Sequence, residues 1–171
     1  MDHAAPLILT LQLDERSFAF FDEQRRRYFP TERNFIPAHL TLFHNLPGEH
    51  LASIQHDIEA CASRRQPFML DVTGLRSLGR GVAYMLEAAE LTDMRRALAL
   101  RWNDWLKPQD RQNHQPHVTV QNKVDPTQAR ALLEELSDGF QPFQVAAVGL
   151  ELWWYRGGPW ERVGRFGFTA R

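Results

Sequence analysis

The sequence predicts an α+β fold in which one β-α-β-α-β unit occurs twice, with mostly antiparallel sheets and helices packed outside them. Two observations predict the duplication. The motifs "HLTL" at 39–42 and "HVTV" at 117–120 lie 78 positions apart, and "QPF" at 66–68 recurs at 141–143 in a matching place. Sliding the chain by that amount aligns the types of predicted element as well as the letters.

The first unit reads strand, helix, proline-containing loop, motif strand, helix and extended segment. In order, these elements are expected at 7–13, 14–29, 30–38, the strand beginning at His39, 47–63 and 66–75.

The second unit repeats this order, and its last helix has Asp125 placed as an N-cap before Pro126. Its elements are expected at 82–90, 91–106, 107–116, the strand beginning at His117, 125–137 and 141–152, with a final strand at 161–168.

Two strand pairs are predicted as hairpins, 67–75 with 82–88 and 143–153 with 161–168. We expect one domain over residues 1–171, made of two lobes (roughly 1–80 and 81–171) that share a core, face a central cleft and can exchange a strand.

The composition is that of an ordinary globular protein, with 43% hydrophobic and 24% charged residues and a net charge of −1. This balance argues against a protein that coats long nucleic acid, and clusters such as Arg25 to Arg27 are read as a solvated helix face. A single cysteine, Cys61, excludes a disulfide framework. Without a long apolar run or leader pattern, the protein is expected to be cytoplasmic, away from membranes and monomeric.

The His-x-Thr motifs are the candidate catalytic site. Side chains two apart on a strand share a face, so His39 and Thr41 project together, as do His117 and Thr119. Two histidines can serve as general base and general acid, and two hydroxyls can stabilise phosphate oxygens. This set suits transfer or hydrolysis of a phosphodiester without a metal or another cofactor.

Two alternatives stay open on the residues alone. The same groove would serve a module that binds a nucleotide or RNA end without turning it over. His114 and His117 have a spacing that can bind zinc, although no third ligand is evident.

With its paired motifs His39-Leu40-Thr41-Leu42 and His117-Val118-Thr119-Val120, the chain resembles the 2H phosphoesterase superfamily, which includes 2′–5′ RNA ligases and cyclic nucleotide phosphodiesterases. The closing stretch 148–168 also resembles that family, except that Trp160 stands where tyrosine is more usual. The resemblance implies a bilobal fold and metal-independent action on 2′,3′-cyclic phosphates or 2′–5′ linkages. It further implies His117 as base, His39 as acid, and Thr41 and Thr119 as ligands of the phosphate oxygens.

The expected partner is a small cyclic nucleotide or the end of an RNA. Aromatic side chains that could stack on its base and arginines that could reach its phosphate are further candidates. These substrate-binding candidates are Phe43, Tyr84, Tyr155, Trp160, Arg80 and Arg156.

Overall fold

The computed structural model describes residues 4–171, and within them the chain forms seven strands and five helices. The strands are β1 (Leu7–Leu13), β2 (Leu40–Leu46), β3 (Phe68–Ser77), β4 (Val82–Glu87), β5 (His117–Gln121), β6 (Phe143–Trp154) and β7 (Glu161–Gly167). The helices are α1 (Glu15–Tyr28), α2 (Leu51–Ser63), α3 (Ala89–Arg101), the short α4 (Pro108–Arg111) and α5 (Pro126–Ser137). The predicted α+β class is confirmed.

All strand pairs are antiparallel, and the sheet runs β2-β1-β6-β3-β4-β5 with β7 also paired to β6. The long strand β6 belongs to two half-sheets, because its residues 143–147 pair with β3 and its residues 147–154 pair with β1. The first half-sheet is β2, β1, the end of β6, and β7. The second is β5, β4, β3 and the start of β6. Both predicted hairpins, β3–β4 and β6–β7, are confirmed.

Helices are exchanged between the half-sheets. Helix α1 follows β1 but packs against β5, and the ring centroid of Phe21 lies 5.5 Å from that of Tyr84 on β4. In return, Trp102 at the end of α3 packs against Phe43 of β2, with ring centroids 5.1 Å apart. The first helix of each repeat therefore completes the core beside the other motif strand.

Apolar faces of α2 and α3 form part of the core. The side chains that form them are buried: Ile54, Ile58, Met94, Leu98 and Trp102. Asp125 caps α5 as predicted, since its Oδ1 accepts a hydrogen bond of 2.9 Å from the backbone N–H of Gln128. Among residues 4–171, none of the helices is both long and apolar enough to cross a bilayer.

Candidate active site

The two motif strands lie side by side, since β2 contacts β5 where the half-sheets meet. His39 immediately precedes β2, and His117 is the first residue of β5. As predicted, successive side chains of each motif point to opposite faces of the strand. The apolar partners in the motifs are at most 1% exposed: Leu40, Leu42, Val118 and Val120. The polar members are only half-buried: His39, Thr41, His117 and Thr119.

Both motif histidines are held in the same tautomer. Nδ1 of His39 lies 2.8 Å from the carbonyl oxygen of Pro37, and Nδ1 of His117 lies 2.8 Å from that of Gln115. Because a carbonyl only accepts, Nδ1 carries the proton in each ring. In the neutral ring, Nε2 is therefore the basic nitrogen, and each of the two rings exchanges its proton there.

The proton affinity of His39 differs from the ordinary value. Desolvation lowers the pKa of His39 to about 4, and the charges of Arg25 and His117 act in the same direction. The hydrogen bond to Pro37 opposes this shift without cancelling it. His39 is therefore neutral at pH 7 when no anion is bound. Because the charge of His117 affects the pKa of His39, the two histidines lie within electrostatic reach of each other.

Two buried arginines, which the sequence patterns did not single out, tie each exchanged helix to the opposite motif strand. Arg25 of α1 donates from Nη1 to the carbonyl of Thr119 at 3.1 Å, and Arg95 of α3 donates from Nε to that of Leu42 at 3.2 Å. Arg25 is 5% exposed and Arg95 is 9% exposed. The interpretation of the arginine run as a solvated face is thus wrong for Arg25, although it holds for the largely exposed Arg26.

The loop before the second motif is fastened to the first motif strand. Nε2–H of His114 donates to the carbonyl of Thr41 at 2.8 Å, and burial lowers the pKa of His114 to about 4. The carboxylate of Asp110 accepts hydrogen bonds from the backbone N–H groups of His44 and Asn45, at 2.8 and 2.9 Å. These bonds satisfy the edge of β2 that does not pair with β1 and set the two motifs in a fixed relation.

Trp160 is the one predicted substrate-binding residue that the structure brings against a motif residue. Its ring centroid lies 4.6 Å from that of His39. The chain reaches this position through the β6–β7 turn, where Gly157 has φ +88°, a left-handed conformation that glycine adopts without strain. Trp160 and His39 both line a cavity of about 250 Å³.

Phe43 does not line the cleft, which corrects the prediction. The pairing of β1 with β2 shifts from Leu9–Phe43 to Thr10–Thr41, so one step on β1 corresponds to two on β2. This bulge turns Phe43 to the same side as Leu42, and both are 0% exposed.

Tyr84 is also a core residue rather than a ligand contact. It pairs with Val118 on β5, and its side chain therefore lies on the sheet face opposite to His117. It is 4% exposed, its hydroxyl donates to Oε1 of Gln24, and burial raises its pKa to about 12.

The remaining three candidates lie in turns and contact neither motif. Arg80 donates from Nε to the carbonyl of Val124, beyond the end of β5 that is distant from His117. Arg156 pairs with Glu161 at 3.1 Å and lies over the Trp154 ring. Tyr155 is 43% exposed and donates its backbone N–H to the carbonyl of Pro6.

Across residues 4–171, no group of three or more His, Cys, Asp or Glu side chains is placed to hold a metal ion. The zinc alternative needs at least a third ligand beside His114 and His117. In addition, Nε2 of His114 is already engaged with the Thr41 carbonyl.

Comparison with known proteins places the chain in a well-defined group. The model of the 2'-5' RNA ligase superfamily matches residues 13–159. A comparison with curated proteins gives no significant match. Among solved structures, TT0787 of Thermus thermophilus is 17% identical with a TM-score of 0.71, covering 97% of this chain and 99% of that one.

Two structures of LigT from E. coli also superpose on the whole fold. The complex with 3'-AMP is 18% identical, with a TM-score of 0.58 and coverage of 98% of this chain and 99% of that one. The complex with ATP is 19% identical, with a TM-score of 0.56 and coverage of 99% and 100%. At these identities the likeness shows a common fold.

Proposed function

The chain belongs to the 2'-5' RNA ligase superfamily, and from that premise we propose that it is a metal-independent phosphoesterase that opens, or reversibly forms, 2′,3′-cyclic phosphate or 2′–5′ phosphodiester bonds in nucleotides or RNA ends. Membership supports a phosphoesterase. The small nucleotides bound by LigT, 3'-AMP and ATP, support a substrate of that size.

One observation carries the proposal: two histidines on adjoining motif strands hold the same tautomer and leave Nε2 as the reactive nitrogen. A phosphoryl transfer needs one group that removes a proton from the attacking oxygen and one that supplies a proton to the leaving oxygen. Thr41 and Thr119, on the half-buried side of the same strands, are suited to donate hydrogen bonds to the non-bridging oxygens.

In the proposed hydrolysis, His117 takes a proton from water as the water oxygen bonds to phosphorus. The bond from phosphorus to the ribose 3′-oxygen breaks, and His39 gives its proton to that oxygen. The product is a 2′-phosphate. In ligation, the oxygen of a ribose 5′-hydroxyl attacks phosphorus in place of water. The product is then a 2′–5′ phosphodiester.

The lowered pKa of His39 places a condition on this assignment. A histidine with a pKa of about 4 carries almost no proton at pH 7. It can act as an acid only if the bound phosphate anion raises its pKa, as a nearby opposite charge does. Which histidine acts as the acid and which as the base can therefore be measured directly.

We expect the C2–H resonance of His39 to titrate near pH 4 in the free protein and at a higher pH when a nucleoside 2′-monophosphate is bound. Proton NMR with His39→Gln for assignment measures both values. An unchanged pKa for His39 in the complex would reverse the roles and make His39 the base.

The activity itself is tested with a panel of nucleoside 2′,3′-cyclic phosphates and 2′–5′ dinucleotides, analysed by mass spectrometry. Opening of a cyclic phosphate in the presence of EDTA, with a 2′-phosphate as product, is expected. Tight binding of the nucleotides with no product after long incubation would instead identify a binding module. Activity lost in EDTA and restored by zinc would contradict the metal-independent mechanism.

A further inference from the structure

The cavity beside His39 extends away from the motif strands, between the start of α1 and the β6–β7 hairpin. Its volume of about 250 Å³ is below the range of about 300–1,000 Å³ usual for drug-sized ligands, which suits a single planar group. Its apolar lining comes from both sides: Phe18 and Ile36 on one, Trp153 and Trp160 on the other.

The polar edge of the cavity is built around Glu151. Its side chain is 14% exposed, and its Oε2 pairs with Nε of Arg162 and Nε of Arg165, each at 3.2 Å. Both arginines contact the same oxygen, so Oε1 remains available as an acceptor for a ligand. The two ion pairs fix the direction of the carboxylate.

The floor of the cavity is also fixed. Thr10, only 2% exposed, accepts a 2.9 Å hydrogen bond from Nε1 of Trp153. The guanidinium carbon of Arg162 lies 5.1 Å from the centre of the Trp153 ring. The lining is therefore organised before any ligand arrives, which reduces the ordering cost of binding.

The formal charges of the lining cancel, because it holds two arginines, Arg162 and Arg165, and two glutamates, Glu15 and Glu151. A second phosphate would need net positive charge, whereas a neutral planar base is suited to apolar and aromatic walls with a polar edge. We propose that this cavity is a nucleobase subsite selective for guanine. The proposal rests on the proposed function, since it treats the phosphate as bound at His39 and His117.

Guanine is the base that matches an acceptor-only carboxylate beside two guanidinium groups. Its Watson–Crick edge presents N1–H and the N2 amino group next to each other, and its O6 and N7 are acceptors that arginine recognises. Adenine and cytosine offer one exocyclic amino group, and their ring nitrogens on that edge are acceptors that Glu151 would repel. A site built to receive donors discriminates strongly against a base that lacks them.

Equilibrium binding tests the subsite separately from catalysis. Isothermal titration calorimetry compares guanosine, adenosine, cytidine and inosine 2′-monophosphates. We expect guanosine 2′-monophosphate to bind at least tenfold more tightly than the others. Inosine, which lacks the N2 amino group, tests the contact to Glu151 without altering the protein.

Glu151→Gln is expected to reduce the preference for guanine over adenine to less than threefold. Glu161→Gln is the matched control, because Glu161 pairs with an arginine on the same hairpin outside the cavity, and it should keep the preference. Equal binding of guanosine and inosine monophosphates, or a preference for adenine, would overturn the proposal even if Glu151→Gln fails to fold.

The two proposals fail in different ways. Guanine-selective binding without opening of any cyclic phosphate would leave the subsite in place and remove the proposed reaction. Opening of all four nucleoside 2′,3′-cyclic phosphates with equal kcat/KM, together with equal binding of the four bases, would support the proposed reaction and remove the guanine subsite.

Discussion

Replacing His117 or His39 with alanine is expected to lower kcat for opening of a 2′,3′-cyclic phosphate by roughly 10²–10⁴-fold in each case, the usual contribution of a positioned acid or base. The two side chains act together in the same phosphoryl transfer step. The double variant should therefore be little worse than the poorer single variant. Steady-state rates at saturating substrate, with product identified by mass spectrometry, give the comparison.

His56→Ala is the control for this pair, because His56 is exposed on α2 and its removal should leave kcat unchanged. Circular dichroism establishes that each variant is folded. The assignment of the site fails if both single variants retain the activity of the unaltered protein.

Asp110→Ala is expected to destabilise the protein by about 3 kcal/mol, because it removes a buried carboxylate and leaves the N–H groups bound to it without their acceptor. Asp110 is 1% exposed and accepts from the backbone N–H groups of His44 and Asn45 and from the ring of His44. The midpoint of urea unfolding at pH 7 measures the loss. Asp93→Ala is the matched control, since its pair with Arg96 is 70% exposed on both sides, and it should change stability by at most about 0.5 kcal/mol.

The effect of Asp110 should also depend on pH. Burial opposes its ionisation, but the hydrogen bonds from His44 and Asn45 outweigh burial, and the pKa of Asp110 is lowered from 3.8. A carboxyl group with a lowered folded pKa stabilises the fold above its unfolded pKa and loses that contribution as the pH falls. The difference in unfolding free energy between the unaltered protein and Asp110→Ala should therefore become smaller below about pH 4. A difference in unfolding free energy that stays constant from pH 7 to pH 3 would contradict this explanation of the lowered pKa of Asp110.

The sequence was sufficient for features that depend on local periodicity. Alternation correctly predicted that Leu40 and Val118 are buried, whereas His39 and Thr119 are only half-buried. The pairing of strand segments that are close in the sequence correctly predicted the two hairpins. Both kinds of feature depend on residues that lie near one another along the chain.

The missed features depend on contacts between distant segments. Alternation placed Phe43 with His39, but a bulge of one residue reversed its side. Arg25 looks like its neighbours Arg26 and Arg27, and only the exchange of helices brings its guanidinium to the Thr119 carbonyl. His44 contacts Asp110, which lies 66 positions later, and no local pattern in the sequence indicates this pair.

The helix exchange has a consequence for each repeat taken on its own. Helix α1 takes its apolar cover from β5 and β4, and α3 takes its cover from β2. A single copy of the repeat would therefore leave one helix and one motif strand uncovered and would supply only one histidine. Two copies related by a dyad would satisfy both needs at once. The exchange of helices therefore makes each repeat depend on the other both for a closed core and for the second histidine.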